Sequence, residues 1–324
     1  MKFLKNKTIL ITGATGSFGN AAVKYLLEKC RIKKIIIFSR DENKQFEMQK
    51  KFKHKNLRYF LGDVRDEDRL IMALNGVDYV IHAAALKHVP AAEYNPFECI
   101  KTNVYGSQCV ISAAIKCGVK KIIALSTDKA CNPINLYGAT KLCAEKLFIN
   151  ANALSGEKDS RFSLVRYGNV IASRGSAIPF FKELISQGKT LPLTDLEMSR
   201  FFMRLEDAVT FVLNSLNTMK GGEIFIPKMH SVYIKDLIKI IDNNAKFKIT
   251  GTRPGEKIHE LLCSKDESNL LYEQKDFFVI YHQNFDKNLI KGKKVKNNFI
   301  YASNNKKFIN NKKITQLLKK SKAI

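Results

Sequence analysis

Residues 8–19 read TILITGATGSFG. A run of strand-forming residues leads directly into a turn with glycines at positions 13, 16 and 19. Glycine lets a backbone turn tightly and come close to a pyrophosphate, whose charge then rests at the N-terminus of the following helix. The turn therefore predicts a dinucleotide site built from Gly13, Thr15, Gly16, Ser17, Phe18 and Gly19, and a strand–turn–helix start to an α/β domain.

The pattern continues outward from that turn. Short apolar runs at 34–39 (KIIIFS), 57–61, 79–83 (YVIHA), 121–126 (KIIALS) and 162–167 (FSLVRY) alternate with amphipathic or polar stretches at 21–29, 42–51, 67–74, 103–116 and 136–154. The runs are continuous rather than period-2, as strands covered on both faces require. The expected fold class is α/β, a doubly wound parallel sheet. After residue 168 the rhythm breaks into Gly-, Ser- and Pro-rich segments, with helices expected at 177–187, 207–216 and 234–243 and a strand at 223–226. This reading places a nucleotide-binding domain with the reactive residues over 1–168 and a smaller, interleaved substrate-binding region over 169–286. A basic, peripheral and partly mobile tail is expected over 287–324.

The net charge of +25 favours anionic partners such as phosphates and nucleotides. Its main origin is a bias towards Lys and Asn spread along the chain. A nucleic-acid-binding reading would need basic residues clustered on one face with interleaved aromatics. No such module is visible, and the chain has no Trp. The seven cysteines (Cys30, Cys99, Cys109, Cys117, Cys131, Cys143 and Cys263) form no CxxC pair and read as reduced core residues, with no metal site expected. The opening MKFLKNKTILITG has no secretory apolar stretch, and nowhere do about 18 apolar residues run together. A cytoplasmic protein without membrane contact is expected.

The end of the second strand reads Phe38-Ser39-Arg40, with Lys44 one turn on. An acidic residue there would bind the ribose 2′-hydroxyl of NAD, whereas an Arg accommodates the 2′-phosphate of NADP. Ser39, Arg40 and Lys44, with Ser17, favour NADP, although Asp41 is adjacent. Tyr137 and Lys141 form a YxxxK pair on one helix face. A neighbouring ammonium would depress the phenol, making Tyr137 a general base. Ser126-Thr127 lie just upstream, at the end of the fifth strand. The next residues, Asp128 and Lys129, set an acid beside an amine, which suits elimination of water. Asp128 can protonate a leaving hydroxyl. Lys129 can take a carbon-bound proton if burial and Lys141 lower its pKa.

The GxxGxxG spacing, with YxxxK and its upstream Ser-Thr, resembles the extended short-chain dehydrogenase/reductases. Three longer strings, STDKACNPINLYGATKL (126–142), AAALKHVPAAEYNPFECIKTNVYG (83–106) and RYGNVIASRGSAIPFF (166–181), resemble the inverting UDP-N-acetylglucosamine 4,6-dehydratases, which also epimerise carbon 5. The likeness spans about residues 5–270. Retaining dehydratases carry Asp-Glu where this chain has Asp128-Lys129.

The resemblance implies a Rossmann-like doubly wound parallel sheet with a smaller C-terminal substrate-binding region. It implies that Asp63 and Val64 meet the adenine, that Ala83 and Ala84 line the cofactor, and that Asn103 is a further family position. Lys87, Thr127 and Tyr137 would face the sugar. Asn169 and the loop 173–176 would hold the substrate. Arg200 and Arg253 would meet the phosphates, and Glu256 the ribose hydroxyls. The implied reaction converts UDP-N-acetylglucosamine to UDP-2-acetamido-2,6-dideoxy-β-L-arabino-hexos-4-ulose, opening pseudaminic acid synthesis for flagellin and surface glycans. A homo-oligomer, hexameric in many members, is implied too. A UDP-sugar 4-epimerase, or a 5-epimerising dehydratase of capsule or O-antigen synthesis, is the alternative.

Overall fold

The computed structural model describes residues 1–171, 173 and 176–324. In the first half, strands β1 (Thr8–Thr12), β2 (Lys34–Ser39), β3 (Leu57–Leu61), β4 (Tyr79–His82), β5 (Lys121–Thr127) and β6 (Arg161–Tyr167) are parallel. They lie in the spatial order 3-2-1-4-5-6, the doubly wound arrangement. Between them run helices α1 (Ser17–Lys29), α2 (Glu42–Lys51), α3 (Glu67–Leu74), α4 (Val89–Tyr94), α5 (Pro96–Ile100), α6 (Gly106–Lys116) and α7 (Leu136–Leu154).

The second half adds β7 (Asn169–Val170), α8 (Ala177–Ser186), β8 (Leu191–Leu193), β9 (Ser199–Met203), α9 (Leu205–Thr218), β10 (Glu223–Pro227), β11 (His230–Tyr233), α10 (Ile234–Ile241), β12 (Phe247–Ile249) and β13 (Leu261–Cys263). The chain then forms β14 (Leu271–Glu273), β15 (Phe277–Tyr281), β16 (Lys293–Lys294), β17 (Tyr301–Ala302) and α11 (Asn311–Lys320). β10 joins β6 in parallel, and β15, β14 and β16 extend the same sheet antiparallel to ten strands.

Alternate residues of each strand serve the two faces. Ile9 and Ile11 of β1 join Ile35, Ile37 and Ile81 under α1 and α9. Leu10, Ile36, Val80 and Ile122 pack on the other side against α3, α6 and α7. Every residue of β1 is buried, which explains its unbroken apolar run. A third core joins Phe202 and Val232 to Ile178 and Phe181 of α8, Leu237 and Ile238 of α10, and Ile314 and Leu318 of α11.

Three expectations are corrected. The first helix starts at Ser17, because the glycine turn passes directly into it. The helix expected from residue 103 begins at Gly106 and is preceded by a π-helical turn, Lys101–Tyr105. That turn holds Asn103 where its amide spans the backbone of Leu86: Oδ1 accepts from Leu86 N–H at 2.8 Å and Nδ2 donates to Leu86 O at 2.9 Å. Residues 287–300 do lie at the surface, but 301–323 are not peripheral. Tyr301 is wholly buried among Phe201, Phe278 and Phe308, its hydroxyl accepts from Met229 N–H at 2.6 Å, and α11 closes the third core.

Candidate active site

The carboxyl ends of β1–β6 open on a cleft of about 910 Å³, at the edge of the sheet where ligands of this architecture bind. Its nucleotide half is built by backbone approach. Gly13 has φ +64°, and a Cβ there would come within 2.8 Å of the Ala84 backbone, so the loop after β4 can close on the turn only over glycine. Thr12 Oγ1 accepts from the N–H groups of Ala83 and Ala84 at 3.1 and 3.2 Å, fixing that loop. Thr15, Gly16, Ser17, Phe18, Ala83 and Ala84 line the cleft, while Gly19 lies beneath it against Ala14.

At the end of β2, Ser39, Arg40 and Lys44 also line the cleft. Asp41 lines it as well, with its carboxylate engaged by α2. It caps that helix by accepting from Lys44 N–H at 2.9 Å and pairs with the Lys44 amine. Arg40 is half-exposed at the mouth, 3.8 Å from Asp63. Hydrogen bonds from Arg65 offset the desolvation of Asp63 and hold its carboxyl below the usual range. Val64 lies beside it in the cleft wall.

The reactive half hinges on one contact. Asn135 Oδ1 caps α7 by accepting from Gly138 N–H at 2.8 Å. A Cβ on Gly138 would sit 2.2 Å from Lys129 O, so only glycine lets α7 press against the 3₁₀ turn Asp128–Ala130. Thr127, Lys129, Tyr137 and Lys141 are thereby brought to one wall of the cleft. Thr127 Oγ1 donates to Asp128 Oδ1 at 3.0 Å beside Tyr137. Ser126 turns away and donates to Glu145 at 2.6 Å, in a buried network that continues through Arg166 to Glu267.

The protonation states differ from the expected ones. Burial holds the Tyr137 phenol up at about 12, despite the Lys129 charge, and brings the Lys141 amine down to about 8. Lys129 is not depressed. Burial alone would lower it, but Asp128 Oδ1 at 3.1 Å and Glu260 Oε1 at 2.9 Å together hold its ammonium well above the usual lysine range. Asp128 lies just behind the wall, 1% exposed, and burial pushes its carboxyl up. Its Oδ2 has no hydrogen-bond partner among the described residues.

Lys87, Asn169, Arg253 and Glu256 line the cleft too, and burial lowers the Lys87 amine. In the loop 173–176, Ser173 and Ser176 line the cleft, whereas Arg174 and Gly175 lie outside the described residues. Arg200 also reaches the wall, but most of its donors are spent. It donates to the carbonyls of Ser199, Lys257 and Ile258 at 2.8–2.9 Å. It lies 3.9 Å from both Glu256 and Glu260, so it braces the loop that carries them. Glu260 and Tyr167 are cleft residues that sequence reasoning missed. Glu260 falls on an irregular segment, where no periodicity marks a direction.

Fold and cleft together define the class: a doubly wound nucleotide-binding fold carrying a Tyr/Lys pair and an acid–amine pair at the carboxyl ends of its strands. The chain belongs to the polysaccharide biosynthesis protein family, whose model matches residues 9–282. It is 56% identical, over 92% of its length and 93% of the relative's, to a UDP-N-acetylglucosamine 4,6-dehydratase (inverting) of Campylobacter jejuni. It is 42% identical, over 97% of its length and 95% of the relative's, to a UDP-glucose 4-epimerase of Rickettsia massiliae. The X-ray structure of Pen from Bacillus thuringiensis superposes with a TM-score of 0.92 at 39% identity, covering 99% of both chains.

Proposed function

We propose that the protein is an inverting UDP-N-acetylglucosamine 4,6-dehydratase. The observation that carries this reading is the Asp128–Lys129 pair, with Lys129 beside Tyr137 on the wall of a nucleotide-sized cleft and Asp128 directly behind it. The 56% identity to a dehydratase of that name supports the substrate.

The cleft fits a nicotinamide dinucleotide. The Gly13 cradle admits no Cβ, and small residues, Ala83 and Ala84, face it. NADP is favoured because Asp41 is occupied as a cap and by Lys44, leaving Arg40 at the mouth for a 2′-phosphate. When bound, the cofactor supplies a reversible two-electron oxidation at sugar carbon 4 and the matching reduction at carbon 6, so the net reaction is a dehydration. Tyr137, in its ionised form, would take the 4-hydroxyl proton. The ketone at carbon 4 acidifies the proton on carbon 5, and Lys129 in its neutral form would remove it. Asp128, whose burial favours the protonated acid, would protonate the departing 6-hydroxyl. Carbon 5 would then take a proton from solvent on the opposite face, which inverts it, and Tyr137 would return the 4-hydroxyl proton to solvent, so that the protons balance. Arg253 would bind phosphate and Glu256 the ribose hydroxyls. The product would enter pseudaminic acid synthesis for flagellin and surface glycans. The reading includes a homo-oligomer, supported by exposed Tyr94, Phe97 and Tyr105 along α4–α6.

Incubation with UDP-N-acetylglucosamine should give a product lighter by one water, inverted at carbon 5 by NMR, with no net build-up of reduced cofactor. The 42%-identical epimerase favours a second reading. A product of unchanged mass would establish that reading and remove the dehydratase. Lys129→Met should bind cofactor normally yet form no dehydrated product; full turnover would exclude Lys129 from the chemistry.

A further inference from the structure

The proposed elimination needs Lys129 without its proton and Asp128 with one, yet the structure sets Lys129 between two carboxyl groups that favour its ammonium form. Only one of these, Asp128, adjoins it in sequence. The other, Glu260, reaches it from the segment before β13. Glu260 is 2% exposed at the side chain and places Oε1 2.9 Å from Lys129 Nζ. Its Oε2 is buried without a hydrogen-bond partner among the described residues. Arg200 at 3.9 Å, from β9, and Lys257 at 4.0 Å face the same carboxylate. Lys257 donates at 2.6 Å to Cys131 O, directly after the Asp128–Ala130 turn. A buried carboxylate ringed by three cations costs less to keep charged than to protonate, and Glu260 is accordingly held below the ordinary glutamate range. Among the described residues, the other charged or titratable groups of this neighbourhood include Asp128, Tyr137 and Lys141 from α7, His259, and Glu256 on the loop that Arg200 braces.

We propose that Glu260 is a positioning residue for Lys129: it pins the amine against Asp128 and keeps the shared proton on nitrogen until a substrate is seated. The inference rests on the dehydratase reading. The proton Lys129 must lose is then the one Asp128 must gain. It crosses the existing 3.1 Å hydrogen bond: an N–H bond of the ammonium breaks, an O–H bond forms on Asp128, and an ion pair becomes a neutral amine and acid. The pair neither gains nor loses a proton, and a dry, filled cleft favours the neutral form. Elimination restores the starting state, because Lys129 receives the carbon-5 proton while Asp128 gives its own to the leaving hydroxyl. Glu260, permanently anionic, opposes the transfer and so keeps the pair in its ionic form while the cleft is wet.

The test compares the pH dependence of kcat for wild type, Glu260→Gln and Glu260→Asp, followed by NMR of the product. Removing an anion in direct contact with the amine should move the basic limb of Glu260→Gln to lower pH by about one unit or more. Glu260→Asp, which keeps the charge, should retain the wild-type limb even at reduced rate. Coincident limbs for wild type and Glu260→Gln, or equal shifts in both variants, would overturn the proposal. A second measurement needs neither variant nor turnover. Trace acetylation of cofactor-free wild type across pH, read by mass spectrometry, should show Lys129 titrating above the exposed lysines; titration at or below them would overturn the proposal. Failure of the dehydratase reading looks different, since wild type would then release no water from UDP-N-acetylglucosamine.

Discussion

At the residue scale, the site depends on an absence of atoms as much as on reactive groups. Gly138 has no side chain to contribute, yet it sets the distance between α7, which carries Tyr137 and Lys141, and the turn that carries Lys129. In Gly138→Ala the new methyl would meet Lys129 O at 2.2 Å, and the main-chain carbonyl cannot swing aside as a long side chain could. The expected cost is about 1–3 kcal/mol in stability, seen as a lower thermal midpoint. It should be accompanied by a fall in kcat larger than the change in KM, because the turn moves while the nucleotide end of the cleft does not. Unchanged kcat would show that the α7 contact does not position the turn. Glycine at this position is plain in YGATK, but its reason is not: nothing in the string says that residue 129 lies against it.

At the scale of elements, the start of α7 joins the two halves of the cleft. Asn135 uses both ends of its amide: Oδ1 caps the helix through Gly138 N–H, and Nδ2 donates at 2.7 Å to Gly255 O in the loop bearing Arg253 and Glu256. Glu93, on α4, accepts from Leu136 N–H at 2.7 Å. Asn135→Ala should lose about 1 kcal/mol for the cap and untie the Gly255 loop. The nucleotide-sugar KM should rise several-fold, on the order of the 1 kcal/mol a neutral hydrogen bond contributes, with kcat less affected. Equal KM values for the variant and wild type would show that the loop is held by other contacts. The helix and its cap are readable from NLYGATK; the partner loop, 120 residues further on, is not.

At the scale of the whole molecule, the sheet and the last third of the chain are tied together by one buried cation. Arg166, wholly buried at the end of β6, pairs with Glu145 of α7 at 2.6 Å and with Glu267 at 2.8 Å. Despite the burial that would raise it, the Arg166 guanidinium brings Glu267 down to about 2. A carboxyl depressed in the folded state contributes stability that is fully present above its unfolded pKa and is lost as pH falls through its folded value. The thermal midpoint should therefore fall between roughly pH 4.5 and pH 2, and Glu267→Gln should flatten that part of the curve while lowering its neutral plateau. A variant curve parallel to wild type through the window would remove Glu267 as its source. Deleting residues 310–324 would strip Ile314 and Leu318 from the third core, at about 1.5–3 kcal/mol for each buried side chain. A truncated chain as stable as the whole would contradict the buried position of α11.

The sequence alone determined the parallel sheet, the nucleotide turn, and the Tyr137/Lys141 and Asp128/Lys129 pairs. Each rests on neighbours a few residues apart: apolar runs, glycine spacing, one helix face. It also gave away little about residues that act across long separations. The tertiary structure alone decided that Lys129 sits between the carboxyl groups of Asp128 and Glu260, which favour its ammonium form, that Arg200 braces a loop, and that residues 301–323 of the Lys-rich terminus pack into the core. Those outcomes depend on Glu260, on two carbonyls of a distant loop, Lys257 O and Ile258 O, and on Tyr301, which reach their places only when the sheet has folded. A charge is set by what surrounds it in space, and local sequence does not carry that surrounding.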